Sequence, residues 1–348
     1  MASPALGDGW FPSVWGRDDE IGAGNLLGPH KTLAAIRLVK TGQIVKLGFP
    51  YRKGMPLSPG HSFELRMPGG PTGGREGRRS RTVWNDDFIA TEIGQIGTHM
   101  DALGHAGGAC GGEGPLFYNG NRLEECWTPY GLKKLGIEKA QIFFVRGVLL
   151  DVQRLKGGPL APGQEITADD LLACVATQGL PDPWIEPGDV VLVRTGHGSR
   201  FFSHASAWYD GAPGLGLGAA EFLSALRPSS VGADNFAIDL VPPVDPEIAL
   251  PCHQHLLMRH GICLHEGMNL DDLAATGRFE FAYVFTPLPI VGATGSPRTP
   301  IATMTQVFGH RGETGKAMDT RIDSKTPPAR GRSRDSGLTR ADILAVAT

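Results

Sequence analysis

Short apolar runs that alternate with helical segments constrain the fold of this chain more than any other feature. The runs rich in Val, Ile, Leu and Phe occupy residues 141–152, 189–195, 230–236 and 279–288. Continuous apolar runs of this length are typical of strands that are buried on both faces. Between the first two runs, Thr167 is suited to begin a helix that continues through Gln178, and Gly179 is suited to end it. Strands separated by helices predict an α/β core.

Charge and composition exclude several classes of partner. Lys and Arg together number 33, and Asp and Glu together number 36, which gives a formal net charge of −3. The chain therefore lacks the large excess of positive charge that is typical of proteins that bind nucleic acids or anionic membranes. No apolar run approaches the roughly 18 residues of a membrane helix. We expect a compact protein that acts on a small molecule, with neither a nucleic acid nor a membrane as partner.

The cysteines and the first residues bear on the cellular location. Five cysteines are scattered along the chain without a CxxC pair. An odd, scattered set argues against a disulfide framework and favours a reducing compartment. The first residues lack the basic start and apolar core that are typical of a secretory signal. We therefore expect a cytoplasmic protein.

Two segments lack the periodicity of regular structure. Residues 54–81 are rich in Gly, Pro and Arg, and they predict a long loop. Residues 320–340 contain almost no large apolar side chains, so they cannot bury enough surface to offset the entropy of ordering. We predict one main domain over residues 1–302 and a tail over residues 303–348 that is partly disordered or wraps a neighbouring subunit.

The densest polar motif is QIGTHMDALGH, from Gln95 to His105. On an extended chain His99 and Asp101 share one face, about 6.6–6.8 Å apart at Cα, so both side chains can converge on one ion. Imidazole and carboxylate suit Zn²⁺, Mn²⁺ or Fe²⁺. Gln95 can join them only if the chain bends at Gly97 or is locally helical. The alternative is a His–Asp hydrogen bond that involves no metal.

A second cluster contains four histidines within residues 253–265. On a helix, His253 and His260 share a face with two leucines between them, and Gly261 would end that helix. Residues 262–266, which include Glu266, are expected to be extended. Ligands from these two elements could meet the first motif, whereas the alternative is a histidine-rich surface helix. The chain contains neither a G-x-S-x-G nucleophile motif nor a phosphate-binding GxxxxGK[ST] loop.

The motif QIGTHMDALGH resembles the HxGTHxDxPxH signature of the Putative cyclase family, which includes bacterial kynurenine formamidases, isatin hydrolases and cyclic-imide hydrolases. Further blocks resemble the family in the same order, among them WGRDDEIGAGN from Trp15, RGVLLD from Arg146 and GATGSP from Gly292. The resemblance covers roughly residues 12–302. It implies a single catalytic domain of cyclase-like, swivelling β/β/α type, with a mixed β core flanked by helices. It also implies assembly as a homodimer or homotetramer.

The resemblance implies roles for individual residues. Gln95, His99 and Asp101 match the family's metal ligands, and His105 matches its general base or acid. His253 and Glu266 match the ligands that complete a second metal site in two-metal members, although the register around His253 and His255 is open by one or two residues. Gln95 stands where the family usually has His, and Leu103 stands where it usually has Pro. Because an amide oxygen is a weaker, neutral ligand than imidazole, this change shifts preference from Zn²⁺ toward Mn²⁺.

Three functions follow as hypotheses. The first is a metal-dependent hydrolase that opens a cyclic amide or imide, or cleaves an aryl formamide or a lactone, through a metal-activated water. The second is a lyase or cyclase that eliminates water from a hydroxy acid, with His105 removing a carbon-bound proton. The third is a small-molecule-binding homologue without catalysis, and the glutamine at position 95 keeps it open.

Overall fold

A nine-stranded mixed sheet forms the centre of the chain in a computed structural model, which describes residues 9–110 and 113–304. Twenty strands lie in these ranges: β1 Ile44–Lys46, β2 Phe63–Arg66, β3 Gly73–Glu76, β4 Thr82–Trp84, β5 Phe88–Thr91, β6 His99–Asp101, β7 Gly108–Cys110, β8 Glu113–Phe117, β9 Asn121–Arg122, β10 Trp127–Thr128, β11 Gly131–Leu132, β12 Phe143–Asp151, β13 Glu165–Ile166, β14 Val190–Arg194, β15 Gly214–Leu215, β16 Ser230–Ala233, β17 Cys263–Glu266, β18 Glu280–Phe285, β19 Gly295–Pro297 and β20 Ile301–Met304.

Seven α-helices and one π-helix accompany these strands in the described part of the chain. The α-helices are α1 Pro29–Leu38, α2 Leu123–Cys126, α3 Val152–Leu155, α4 Ala168–Gln178, α5 Arg200–Ser203, α6 Leu217–Ala225 and α7 Asp271–Ala275. The π-helix is His253–Arg259. Short 3₁₀ turns are Gly22–Leu26, Tyr118–Gly120, Ile137–Lys139, His197–Ser199 and Ala205–Ala207.

The sheet follows the order β1-β20-β18-β12-β14-β16-β17-β6-β19. Its middle strands β12, β14, β16 and β17 pair in parallel, whereas the flanking pairs are antiparallel. Three of the parallel strands, β12, β14 and β16, lie in apolar runs of the sequence, and the four valine and leucine residues of β14 are fully buried. The predicted mixed β core flanked by helices is therefore confirmed, with each predicted run containing one strand of this sheet.

Local chemistry explains the helix that the sequence defines best. The Thr167 hydroxyl accepts a hydrogen bond from the Asp170 amide, and the Asp170 carboxylate accepts one from the Thr167 amide in return. This capping box satisfies two amide groups at the start of α4. Gly179 ends the helix in the left-handed conformation, with φ at 64°.

One group of charged side chains in the core forms a paired network. Arg146 interrupts the apolar run of β12, and its guanidinium lies 3.0 Å from Asp189, which precedes β14. Asp189 is buried and also lies 2.8 Å from the Lys31 ammonium of α1. The buried Asp189 carboxylate thus bridges two cations, which also pair with Glu186 and Glu280, and it ties α1 to the central strands.

The predicted long loop over residues 54–81 is wrong in part. Strand β2 pairs with β5, and β3 pairs with β4, so this region contains two short antiparallel ribbons. Their apolar side chains stay exposed, as at Leu65, Trp84 and Phe88. Without a buried face, these strands carry little of the alternation from which a strand is recognised in sequence.

The last described strand reaches Met304, two residues beyond the predicted domain boundary at residue 302. Most of the predicted tail over residues 303–348 lies outside the described residues, so its disorder or contact with a neighbour stays a prediction. None of the helices in the described ranges has the length and apolar character needed to span a membrane.

Candidate metal centre

Two neighbouring strands place the first pair of site residues. β6 and β17 run antiparallel, and their register sets His99 directly opposite Glu266. The His99 Nε2 atom lies 3.4 Å from Glu266 Oε2 and 3.6 Å from Asp101 Oδ1, two residues further along the same face of β6. The predicted pairing of His99 and Asp101 on one face of a strand is therefore confirmed.

The π-helix brings the next imidazole to the same point. His253 Nε2 lies 3.6 Å from Asp101 Oδ2 and 3.4 Å from Glu266 Oε1. This settles the register of the second cluster, because His255 instead contacts the Ser224 hydroxyl at 2.8 Å, away from the site. The wide hydrogen-bonding pattern of a π-helix is rare and is frequently found at functional sites.

Asp239 holds the orientation of His253. Its Oδ2 atom lies 2.7 Å from His253 Nδ1, and its Oδ1 atom accepts the amide N–H of Cys252 at 2.6 Å. A carboxylate on Nδ1 keeps the proton there and leaves the Nε2 lone pair directed at the site. No motif marks Asp239 in the sequence, and it was not among the predicted site residues.

The Nε2 atom of each imidazole, His99 and His253, lies 3.4–3.6 Å from one oxygen of Asp101 and from one oxygen of Glu266. These contacts are longer than the 2.7–2.9 Å of a charge-assisted hydrogen bond. Donor atoms at about 2.0–2.2 Å from a tetrahedral zinc ion lie about 3.3–3.6 Å from one another. Asp101 Oδ2 and Glu266 Oε1 are buried and have no hydrogen-bond partner within the described residues. The two imidazoles contact different oxygens of each carboxylate, and the donors form two groups, His99–Asp101–Glu266 and Asp101–His105–His253, each with ligand atoms within 4.8 Å of one another. The chemistry of either group fits a divalent metal.

His105 lies at the edge of this cluster. A ring nitrogen of His105 is within 4.8 Å of donor atoms of both Asp101 and His253, and the two imidazole rings are 6.1 Å apart. The chain turns after β6, where the His105 amide donates to the Ala102 carbonyl. Its position beside the donor set suits the predicted proton-transfer group, and it also allows a ligand role.

Gln95 reaches the cluster through a bend rather than a helix. Gly97 takes φ at 54°, a left-handed conformation that glycine adopts most readily, and reverses the chain before β6. The Gln95 Nε2 group donates to Asp101 Oδ1 at 3.2 Å and to the Thr294 carbonyl at 3.3 Å. The bend predicted at Gly97 is confirmed, and the locally helical alternative is wrong. The role of Gln95 as a metal ligand stays a prediction.

The charges of the cluster are strongly coupled. Burial raises the pKa of Glu266, and the negative charge of Asp101 adds to this, so the pKa reaches about 6. Burial would also raise the pKa of Asp101, but the nearby imidazoles, His105 foremost, outweigh it and hold the pKa below its ordinary value. The two buried carboxylates repel each other when both are ionised, and a divalent cation bound between them would offset both negative charges.

The pKa values of the three imidazoles shift in different directions. Burial lowers the pKa of His253, but the contact with the Asp101 carboxylate and the hydrogen bond to Asp239 outweigh burial and raise the pKa well above its ordinary value. The contact with Glu266 likewise outweighs burial at His99 and raises its pKa. Burial dominates at His105 and lowers its pKa, so this imidazole is neutral at neutral pH.

A cavity of about 400 Å³ opens above the cluster. His99, His105, His253 and Glu266 form its polar floor. Its walls include His61, Tyr209 and Phe236, none of which was named individually from the sequence.

Comparison with known proteins identifies the class to which this fold and site belong. A family model described as Putative cyclase matches residues 45–240, more than half of the chain, and the chain belongs to that family. No curated protein matches the sequence significantly.

Solved structures of the family share the fold. One, described as a novel cyclase, is 33% identical and has a TM-score of 0.72, over 83% of this chain and 97% of its own. Isatin hydrolase A from Ralstonia solanacearum is 21% identical with a TM-score of 0.53, over 75% of this chain and 91% of its own. An isatin hydrolase bound to the product analogue thioisatinate is 18% identical with a TM-score of 0.53, over 80% of this chain and 100% of its own. At these lower identities the likeness concerns the fold alone.

Proposed function

We propose that this chain is a metal-dependent hydrolase that opens a cyclic amide or imide, or cleaves an aryl formamide. The same reaction would also open a lactone. One observation carries the proposal: two buried carboxylates, Asp101 and Glu266, each keep an oxygen without a hydrogen-bond partner among the described residues and face two imidazoles at 3.4–3.6 Å. Solved structures of the same fold are named isatin hydrolases, which favours hydrolysis as the reaction class.

The residues proposed to hold the metal are His99, Asp101, His253 and Glu266, with Gln95 beside them. Two imidazole nitrogens and two carboxylates suit Zn²⁺ or Mn²⁺. A divalent ion bound there would lower the pKa of a water molecule and polarise a substrate carbonyl. The buried carboxylates offset the charge of that ion.

His105 is proposed as the proton-transfer group. Its neutral imidazole, at the edge of the donor set, is able to accept the proton of the attacking water. The same nitrogen then returns the proton to the leaving amide nitrogen, so the C–N bond breaks and a carboxylic acid forms. Tyr209 and Phe236 line the cavity beside this group.

The test compares metal content with turnover. The full-length chain is stripped with a chelator, reloaded with Zn²⁺ or Mn²⁺, and assayed on isatin, an N-formyl anilide and a six-membered cyclic imide. Activity is expected to fall on stripping and to return on reloading, and His99→Ala is expected to abolish both metal retention and activity. His204→Ala, which alters an exposed histidine, is the matched control. Full activity of His99→Ala would contradict the proposal.

A second readout separates hydrolysis from elimination. A lyase that removes a carbon-bound proton exchanges that proton with solvent, whereas hydrolysis leaves every carbon-bound hydrogen in place. Turnover in deuterated water followed by mass spectrometry is expected to show no deuterium on the carbon skeleton. A cytoplasmic location and a homodimeric or homotetrameric assembly stay predictions from the sequence.

A further inference from the structure

A second cavity of about 400 Å³ lies at the other end of the π-helix from the metal centre. The π-helix places His253 in the metal centre, while Arg259 and the following His260 line the second cavity. The residues that line the two cavities do not overlap in the described part of the chain. Its volume lies within the range of pockets that bind small molecules, about 300–1,000 Å³.

The walls of the second cavity are mainly aromatic and apolar. Trp10, Trp15 and Tyr118 contribute rings, and Leu26 and Ile262 contribute aliphatic surface. The Tyr118 hydroxyl is already occupied, since it donates to Asp19 at 2.6 Å, so Tyr118 offers the cavity its ring. These walls suit a flat or bulky apolar body.

The charges at the cavity have one sign. Arg227 and Arg259 line it, and its described lining includes no carboxylate. Arg227 forms no ion pair with any described residue, and its backbone is fixed at φ 59° because its amide donates to Ser224 and its carbonyl accepts from Gly188. Burial lowers the pKa of His260 to about 4, aided by His255 and Arg259, so His260 is a neutral hydrogen-bonding group there at neutral pH.

We propose that this cavity is a second small-molecule site, which binds an organic anion with a carboxylate head and an aromatic or other bulky apolar body. The guanidinium of Arg227 pairs with the carboxylate, in the geometry that arginine favours for such groups. Trp10, Trp15 and Tyr118 enclose the apolar body. The site is independent of the catalysed reaction, because its binding groups are separate from the metal donors.

The experiment titrates the full-length chain with 1-naphthoate, using 1-naphthamide as the neutral probe of the same shape. Calorimetry gives affinity and stoichiometry, and tryptophan emission reports contact with Trp10 and Trp15. We expect one naphthoate per chain and about tenfold weaker binding of naphthamide, because the charge-assisted hydrogen bond is lost. Equal affinity for the two probes, or the absence of saturable binding, would overturn the proposal.

Variants then locate the probe. Arg227→Gln changes an exposed side chain and is expected to weaken naphthoate about tenfold while leaving naphthamide unchanged. Trp15→Ala is expected to weaken both probes, and His99→Ala is expected to weaken neither. If naphthoate affinity falls in His99→Ala but not in Arg227→Gln or Trp15→Ala, the probe occupies the metal centre and the second site is disproved.

Discussion

Asp239 Oδ2 lies 2.7 Å from His253 Nδ1, and this contact fixes which nitrogen of His253 faces the metal centre. The two residues are 14 positions apart, and the Asp239 carboxylate also binds the amides of Cys252 and His253 at the start of the π-helix. One carboxylate therefore sets both the tautomer of an imidazole and the start of the helix that carries it.

Asp239→Asn is expected to weaken metal binding by about 10–100-fold, because the amide no longer holds the proton on Nδ1 as firmly. The measurement is a competition titration of the loaded protein against a chromophoric chelator. Asp245→Asn, at an exposed position shortly before the π-helix, is the control and should leave affinity unchanged. Equal affinities for wild type and Asp239→Asn would contradict the role given to Asp239.

His105→Ala is expected to keep its metal and to lose about 10²–10⁴-fold in turnover, because a proton-transfer group is removed and the four donors remain. Metal content is measured by mass spectrometry of the purified chain, alongside kcat on the best substrate. A variant that loses both metal and activity would show that His105 is a ligand instead.

Acid is expected to destabilise the fold through His197. Burial lowers its pKa from 6.5 to about 4, so the unfolded chain binds a proton at a higher pH than the folded chain does. The neutral His197 side chain makes its full contribution to the free energy of unfolding above pH 6.5. This contribution declines as the pH falls toward 4, by about 3 kcal/mol in total.

The check for His197 is urea unfolding of wild type and His197→Gln at pH 7 and pH 4.5. The wild type should lose more unfolding free energy over this interval than the variant, which carries no titratable group at the position. Parallel losses in the two proteins would exclude His197 as the source of acid sensitivity.

Asp189→Asn is expected to lower the free energy of unfolding by about 3–5 kcal/mol, because it removes the carboxylate that neutralises Lys31 and Arg146 in a buried network. Denaturant unfolding measures the loss. Glu64→Gln is the control, since it breaks an exposed pair with Arg66 that is worth less than about 1 kcal/mol. A loss as small as that of the control would contradict the network.

The fold was predictable where local chemistry and tertiary packing agree. Thr167 and Gly179 mark the ends of α4 because caps depend on residues that are close in sequence. The apolar run of β14 is readable because both faces of that strand are buried. The ribbon of β2 and β5 was missed because its side chains remain largely exposed and leave no clear periodic signal.

The site was predictable only in part. His99 and Asp101 share a face by the geometry of a strand, and the family resemblance supplied His105, His253 and Glu266. The cross-strand position of Glu266 opposite His99 depends on sheet register, which no local pattern encodes. Asp239 and the walls formed by His61 and Tyr209 come from distant loops, and their side chains acquire a role only when the chain has folded.

The most direct test of the central claim is anomalous scattering at the zinc edge from crystals of the full-length chain grown with Zn²⁺. We expect a peak about 2.0–2.2 Å from His99 Nε2 and from a carboxylate oxygen of Asp101, with His253 and Glu266 completing the donor set. Crystals that show no anomalous peak among these four side chains, or a water molecule hydrogen-bonded between the two carboxylates in its place, would contradict it.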